Sequence, residues 1–250
     1  MSKRPKLYLL DVEGTVSPVS LVYEQLFPYA KKHMEPFLRA KVREPWIDDS
    51  LGNDLVLLAE ENAREDADAG APKVIAPDED GSWESVVPQV AAYLDWLMER
   101  DRKSTALKAL QGRVWRVGFE AGQLVGTLFE DVPWAIARWN SRAPVAIYSS
   151  GSVEAQQLLF RHSSAGDLTP YLAGFFDTRM GAKTEAESYA AIARAADVAT
   201  REILFFSDVL RELDPAREAG CRTCLVLREG NAPVDDTNGH VAIRSFADVE

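Results

Sequence analysis

Hydrophobic and polar positions divide the chain into two regimes. It opens with Leu7-Tyr8-Leu9-Leu10, a nearly continuous apolar run, the pattern of a strand buried on both faces of a parallel sheet. From Leu21 to Val42 the pattern changes. Leu26, Tyr29, Ala30, Met34, Phe37 and Leu38 follow three-and-four spacing, which predicts an amphipathic helix. Helices are also predicted over Asn53–Asp66, over a stretch carrying Val87, Val90, Ala91, Leu94, Leu97 and Met98, and over Arg102–Gly122. Residues 66–82, acidic and rich in Gly and Pro, read as a solvated loop. No strand is predicted between about residues 20 and 125.

Beyond that point strands and helices alternate. VAIYSSG (145–151), LAGFFDT (172–178), ILFFSDV (203–209), CLVLREG (224–230) and VAIRSF (241–246) are predicted strands. Helices are predicted over Pro133–Asn140, Val153–His162, Thr184–Ala196 and Arg211–Ala219, the last closed by Gly220. Thr184 and Glu187 have the spacing of a capping box. Apolar strands alternating with helices imply an α/β fold, a doubly wound parallel sheet covered on both faces. The expected organisation is a core of residues 1–20 and 126–250, with an inserted helical cap domain over 21–125.

Composition narrows the function. The chain has 250 residues, 46% of them hydrophobic and 27% charged, ordinary for a globular protein. No apolar run is long enough for a membrane span, and MSKRPK leads directly into the first strand without a signal-peptide pattern. The expectation is a cytoplasmic protein with no membrane partner. The net charge of −11 argues against nucleic acid. No coiled-coil or repeat pattern appears, so a monomer is expected. Cys221 and Cys224 form a lone C-x-x-C without a second ligand pair and are expected to be structural thiols. His33, His162 and His240 lack metal-ligand spacing.

In parallel sheets ligands bind outside the carboxyl ends of the strands. Here the first strand ends in Asp11, with Glu13 two residues on, another in Ser149 and Ser150, and another in Ser207 and Asp208. Lys183 lies in the loop GAKTEAE, just before a predicted helix. Singly, each reads equally as a turn, a helix cap or a surface charge. Together they suit phosphoryl transfer. Asp11 is a candidate nucleophile that would form an aspartyl-phosphate. Two carboxylates alone would repel phosphate, since unit charges ~4 Å apart interact by roughly 4 kcal/mol at an effective dielectric near 20. A divalent cation held by Asp11 and Asp208 reverses that sign, and hard oxygen ligands favour Mg2+ over zinc. Lys183, Ser150 and free amides at a helix N-terminus supply further phosphate contacts.

These motifs, in this order, resemble the haloacid dehalogenase superfamily, mostly magnesium-dependent phosphatases with an aspartate nucleophile. The chain has D-V-E-G-T where most members carry D-x-D. That replacement, the helical insertion, YSSGSVEAQQLLF (148–160), GAKTEAESY (181–189) and FFSDVLRE (205–212) resemble the enolase-phosphatases of methionine salvage. The resemblance implies a bifunctional enzyme. Its substrate, 2,3-diketo-5-methylthiopentyl-1-phosphate, is enolised and then dephosphorylated to 1,2-dihydroxy-3-keto-5-methylthiopentene. It further implies that Asp11 is nucleophile and ligand of one Mg2+ per chain, and that Glu13 gives the metal its carbonyl and performs acid/base chemistry. Ser149 and Ser150 would bind substrate, Lys183 the phosphate and Asp208 the metal, while Glu212 would orient the metal's water shell. The insertion would close over the strand ends, with Tyr23 and Phe27 as candidates to meet the methylthio tail. Two other readings stand beside this one: a phosphatase of another small phosphorylated metabolite, and a non-catalytic phospho-accepting signalling protein.

Overall fold

The four residues of β1 (Leu7–Leu10) are buried on both faces and lie in the interior of a six-stranded sheet of order β3-β2-β1-β4-β5-β6. This computed structural model describes residues 4–43, 48–65, 70–77, 82–100 and 102–249. The other strands are β2 (Val145–Tyr148), β3 (Gly174–Phe176), β4 (Ile203–Ser207), β5 (Arg222–Val226) and β6 (Val241–Ile243). Every pairing is parallel, with Leu9 opposite Ala146 on β2 and Phe205 on β4.

Alternate side chains of the central strands serve two different layers. Leu7, Leu9, Ala146, Tyr148, Ile203 and Phe205 pack against α7 (Ala186–Ala195) and α8 (Leu210–Glu218) through Tyr189, Ile192 and Leu213. On the other face Tyr8 stacks on Trp139 of α5 (Val132–Asn140) at 4.8 Å, and Trp139 meets Phe206 at 5.1 Å. The remaining core helix, α6 (Val153–Arg161), follows β2, with Ser152 accepting the Ala155 amide as its N-cap. Gly220, at φ +96°, terminates α8 in the left-handed region.

Two strand boundaries move relative to the sequence pattern. β5 begins at Arg222, two residues early, and β6 is a short edge whose only buried residue is Ile243. The capping box expected at Thr184 does not form. α7 begins at Ala186 behind Glu185, whose side chain caps nothing, and Glu187 pairs with Arg194 at 2.7 Å. The turn before α7 is instead fixed by hydroxyls of α7 and of Tyr148 on β2, described below.

The chain forms two compact units, Met1–Tyr23 with Gly122–Glu250, and Glu24–Ala121. The second contains α1 (Phe27–Lys41), α2 (Asp49–Ala63), α3 (Val87–Glu99) and α4 (Thr105–Glu120), and no strand among its described residues. Met34, Leu38, Leu55, Leu58, Tyr93, Leu94, Leu107 and Leu110 form its core. α2 starts four residues before its apolar stripe suggested, because Asp48 caps it by accepting the Ser50 amide at 2.9 Å. Residues 66–69 and 78–81 of the acidic loop lie outside the described residues. Within 70–77 most residues are at least partly exposed, as expected, but Val74 is buried and its amide donates to Asn62 at 2.8 Å, anchoring the loop at that point. No described helix is long and apolar enough to cross a membrane.

Both cysteines are free and buried, and burial pushes each thiol up to about 12. They behave as core residues, as expected. His33 stacks on Tyr29, and His240 is buried between Thr223 and Asp214.

Candidate active site

The strand order reverses direction about β1: the chain builds β2 and β3 on one side, then crosses back to place β4 on the other. Such a switch point opens a crevice at the carboxyl edge between the two strands concerned. Asp11 leaves β1 on one side of it and Asp208 leaves β4 on the other. The Asp11 amide still donates to Phe206 at 3.0 Å, so the nucleophile candidate sits on the rigid end of the ladder.

Asp11 is 2% exposed and ion-paired with Lys183, itself 9% exposed. Lys183 also reaches Glu212 Oε2 at 2.6 Å, and the Ser207 hydroxyl donates to that same oxygen at 3.0 Å. One ammonium therefore lies between a buried carboxylate, Asp11, and a partly buried one, Glu212. Burial opposes its charge, but Asp11 and Glu212 outweigh burial and hold it protonated above the usual lysine range. Burial first, then Asp11, raises the carboxyls of Glu13 and Glu212. The same causes push Asp208 up to about 7.

The D-V-E-G-T turn folds back on itself, with the amides of Thr15, Val16 and Ser17 all donating to the Val12 carbonyl. This places the Thr15 hydroxyl where it donates to Asp11 Oδ2 at 3.4 Å and accepts the Asp208 amide at 3.1 Å. Glu13 Oε2 accepts from Ser149 at 3.2 Å, and Ser149 in turn accepts the Gly151 amide at 3.0 Å. Ser150 is exposed at the end of β2. The structure thus links Asp11 to Lys183, Glu13 to Ser149, and Asp208 to the Asp11 turn through Thr15. Glu212, expected near metal-bound water, is paired directly with Lys183.

Gly14 fits its position for two independent reasons. Its φ of +75° favours glycine, and a Cβ there would stand 2.3 Å from Asp208 Oδ2. Gly14→Ala is expected to displace Asp208, costing about 1–3 kcal/mol of stability and roughly 10²-fold in turnover. Calorimetry and a phosphate-release assay check the two effects; wild-type turnover would show that the Asp208 position is unimportant.

Two contributors escaped sequence reasoning. Thr15 lies inside the recognised motif, so its position was the available signal. Asn231 donates to Gly14 O at 2.8 Å and Asp208 Oδ2 at 3.1 Å, but it comes from a loop 23 residues after Asp208 and carried no signal.

The residues at the crevice fit a divalent cation. Asp208 Oδ1 is buried with no hydrogen-bond partner, its other oxygen is held by Asn231, and its charge is unfavourably close to that of Asp11. A hard cation would satisfy both features. Among the described residues no three Asp, Glu, His or Cys side chains are grouped to hold one ion. Asp11 and Asp208 are the two hard carboxylate donors the crevice would offer such an ion, and Mg2+ is one that keeps several waters as ligands.

Comparison with known proteins agrees with this geometry. Residues 5–220 match the family model of haloacid dehalogenase-like hydrolases. The enolase-phosphatase E1 of Synechococcus elongatus is 46% identical over 228 residues, spanning 91% of this chain and 90% of that protein. That of Pseudomonas aeruginosa is 42% identical over 245 residues, spanning 98% and 97%. The UTR4 protein of Saccharomyces cerevisiae, a solved structure, superposes with a TM-score of 0.74 at 35% identity, covering 97% of this chain and 99% of that one. With similarity running along nearly the whole length, the chain belongs to the enolase-phosphatase E1 family of haloacid dehalogenase-like hydrolases.

Proposed function

We propose that the protein converts 2,3-diketo-5-methylthiopentyl-1-phosphate to 1,2-dihydroxy-3-keto-5-methylthiopentene and phosphate, by enolisation followed by hydrolysis of an aspartyl-phosphate. The observation that carries this reading is the juxtaposition at the switch point. A buried Asp11 is paired with Lys183 beside Asp208, whose Oδ1 has no protein partner.

Asp11 is the nucleophile; its carboxylate attacks phosphorus, the bond from phosphorus to the C1 oxygen breaks with that oxygen leaving as the stabilised enolate, and water later releases phosphate from the acyl-phosphate. Lys183 holds the phosphate oxygens, at the cost of loosening its pairing with Asp11 or Glu212. Ser149 and Ser150 bind the substrate at the end of β2, and amides of the first turn of α6 add neutral donors. Asp11, Asp208 and the Glu13 carbonyl would hold one Mg2+. When bound, the ion supplies positive charge that screens the carboxylates from the incoming phosphate and polarises a substrate oxygen. Glu13 is the acid/base of the enolisation. Burial first, then Asp11, raises its carboxyl above the ordinary glutamate value, the direction an acid/base group needs, and the Ser149 hydroxyl orients it. The helical unit, residues 21–125 by its sequence pattern, is the cap that reads the methylthio tail. The two free buried thiols suit a reducing, cytoplasmic setting. The working unit is taken as a monomer, since the sequence carries no coiled-coil or repeat pattern.

The decisive experiment compares the diketo phosphate with sugar phosphates, following enol absorbance and phosphate release separately. Preference for a sugar phosphate would overturn the assignment in favour of another small-metabolite phosphatase. Glu13→Gln is expected to slow enolisation by about 10²–10⁴-fold, while a supplied enol phosphate is still hydrolysed. Intact enolisation by this variant would remove Glu13 from the acid/base role.

Mg2+ binding should be linked to protons. With its carboxyl up at about 7, metal-free Asp208 is protonated below that pH, and the cation must displace the proton. Affinity is therefore expected to fall as pH drops through 7, with proton release measurable near pH 6.5 by calorimetry in buffers of different ionisation enthalpy. Affinity constant from pH 8 to 6 would contradict the assignment of Asp208 as ligand.

A further inference from the structure

The stretch that presents Lys183 is held by an unusual set of contacts. Gly181, Ala182 and Lys183 precede α7 in an irregular turn, and each of their carbonyl oxygens accepts a bond from a side-chain hydroxyl. Tyr148 Oη donates to Gly181 at 2.9 Å, Ser188 Oγ to Ala182 at 2.7 Å, and Tyr189 Oη to Lys183 at 2.8 Å. All three donor residues are buried. Gly181 has φ +119°, and a Cβ there would lie 2.2 Å from Ser188 Oγ, so the turn and the hydroxyls are fitted to each other.

Tyr189 does more than its neighbours. Its hydroxyl also lies 2.9 Å from the carbonyl oxygen of Glu212. A phenol has one proton, so the two carbonyls share it. The main chains of Lys183 and Glu212 meet at that single hydroxyl, and their side chains meet again in the ion pair at 2.6 Å. A lysine side chain is a long flexible stem with a compact charge. Fixing its backbone at the same hydroxyl that fixes the backbone of its partner sets where the stem begins, and the pairing with Asp11 and Glu212 sets where it ends.

We propose that Tyr189 is a positioning residue for phosphate binding: its hydroxyl clamps the main chains of Lys183 and Glu212 together and thereby sets where the Lys183 ammonium stands. Ser188 and Tyr148 complete the clamp along the two preceding carbonyls. The inference rests on Lys183 being the phosphate's partner. The Tyr189 ring packs against Phe205 at 5.1 Å and Tyr148 at 5.7 Å, so phenylalanine keeps the packing and removes only the clamp.

The test uses inorganic phosphate as competitive probe against the Mg2+-loaded full chain, with substrate KM and kcat measured alongside. The variants are Tyr189→Phe, Lys183→Arg, both together, and Ser188→Ala. Tyr93→Phe serves as control, because it removes a buried hydroxyl in the helical unit that bonds Glu65 at 3.3 Å. Tyr189→Phe is expected to raise the phosphate inhibition constant and KM together by about tenfold, the scale of leaving buried acceptors unpaired. Ser188→Ala moves both the same way by less and reports on the clamp if Tyr189→Phe folds poorly. Once Lys183→Arg has displaced the charge, adding Tyr189→Phe should change the constant by under about twofold, because the two act as one unit. Tyr93→Phe should alter melting temperature alone. If Lys183→Arg weakens phosphate but Tyr189→Phe and Ser188→Ala do not, the clamp is overturned while Lys183 keeps its role. Full additivity of Tyr189→Phe and Lys183→Arg would also overturn it. A phosphate constant insensitive to Lys183→Arg removes Lys183 from phosphate binding, and the inference falls with it.

Discussion

Asp11→Asn is expected to abolish phosphate release, by about 10⁴-fold or more, while leaving the fold intact and the enol intermediate accumulating. The carboxamide has the shape of the carboxylate but keeps one acceptor oxygen where Asp11 uses two, Oδ1 towards Lys183 and Oδ2 towards Thr15 at 3.4 Å. What it loses is the anionic oxygen that attacks phosphorus. The variant also changes the local charge balance from one cation between two carboxylates to one cation with one, Glu212 at 2.6 Å. Lys183 therefore remains paired, and no buried charge is stranded. Enolisation, assigned to Glu13, does not use the Asp11 anion as a nucleophile, so the two half-reactions should separate: enol absorbance appears and phosphate does not. Phosphate release at the wild-type rate would place the nucleophile elsewhere. Loss of both half-reactions with an unchanged fold would show that Asp11 matters to the cation more than to phosphorus.

The parts of the fold legible in the sequence are those where one physical demand dominates. β1, β2 and β4 are buried on both faces, which forces uninterrupted apolar runs. β3 lies at a sheet edge, needs less apolar surface, and left a weaker pattern in LAGFFDT. Thr184 and Glu187 had the spacing of a cap, but spacing does not reveal competitors. Glu187 is taken by Arg194, and the turn is shaped by hydroxyls bonding carbonyls around Gly181. The same holds at the site. Asp11, Ser149 and Asp208 were legible as a group because strand ends of a parallel sheet converge by construction, and Lys183, from a loop, because its motif takes its place among theirs in the expected order. Asn231 was not, because a loop residue reaching back to Asp208 is fixed by tertiary path rather than by period. Glu212 was legible as a neighbour of Asp208, yet its carboxylate faces Lys183, because one helical turn into α8 carries it towards the buried ammonium.

Lys183→Met should produce the largest loss of stability of any single substitution considered for this chain, and the loss should depend on pH. In the wild type the ammonium is held protonated above the usual lysine range, despite its burial, by Asp11 and Glu212. A base with a raised folded-state affinity for protons contributes its stability fully below its unfolded value near 10.5, and loses it only as pH rises beyond. The pairing is thus intact throughout the neutral range. Methionine fills a similar volume without charge, so packing is nearly conserved while Asp11 and Glu212 are left facing each other. Removing one partner of a buried pair typically costs about 3–5 kcal/mol, or roughly 6–20 °C of melting temperature for a chain of this size. Glu212, whose carboxyl burial and then Asp11 already raise, can escape by taking up a proton once the ammonium is gone. A raised acid destabilises only where its unfolded counterpart would be ionised, so the penalty should be largest at pH 8 and shrink towards pH 5. Adding Glu212→Gln to Lys183→Met removes one of the stranded charges and should recover part of the loss at pH 8 but little at pH 5. Equal losses at both pH values would mean that Lys183 acts through packing alone. A melting temperature unchanged at pH 8 would mean that water already reaches the carboxylates and that the ion triad contributes little to the folded state.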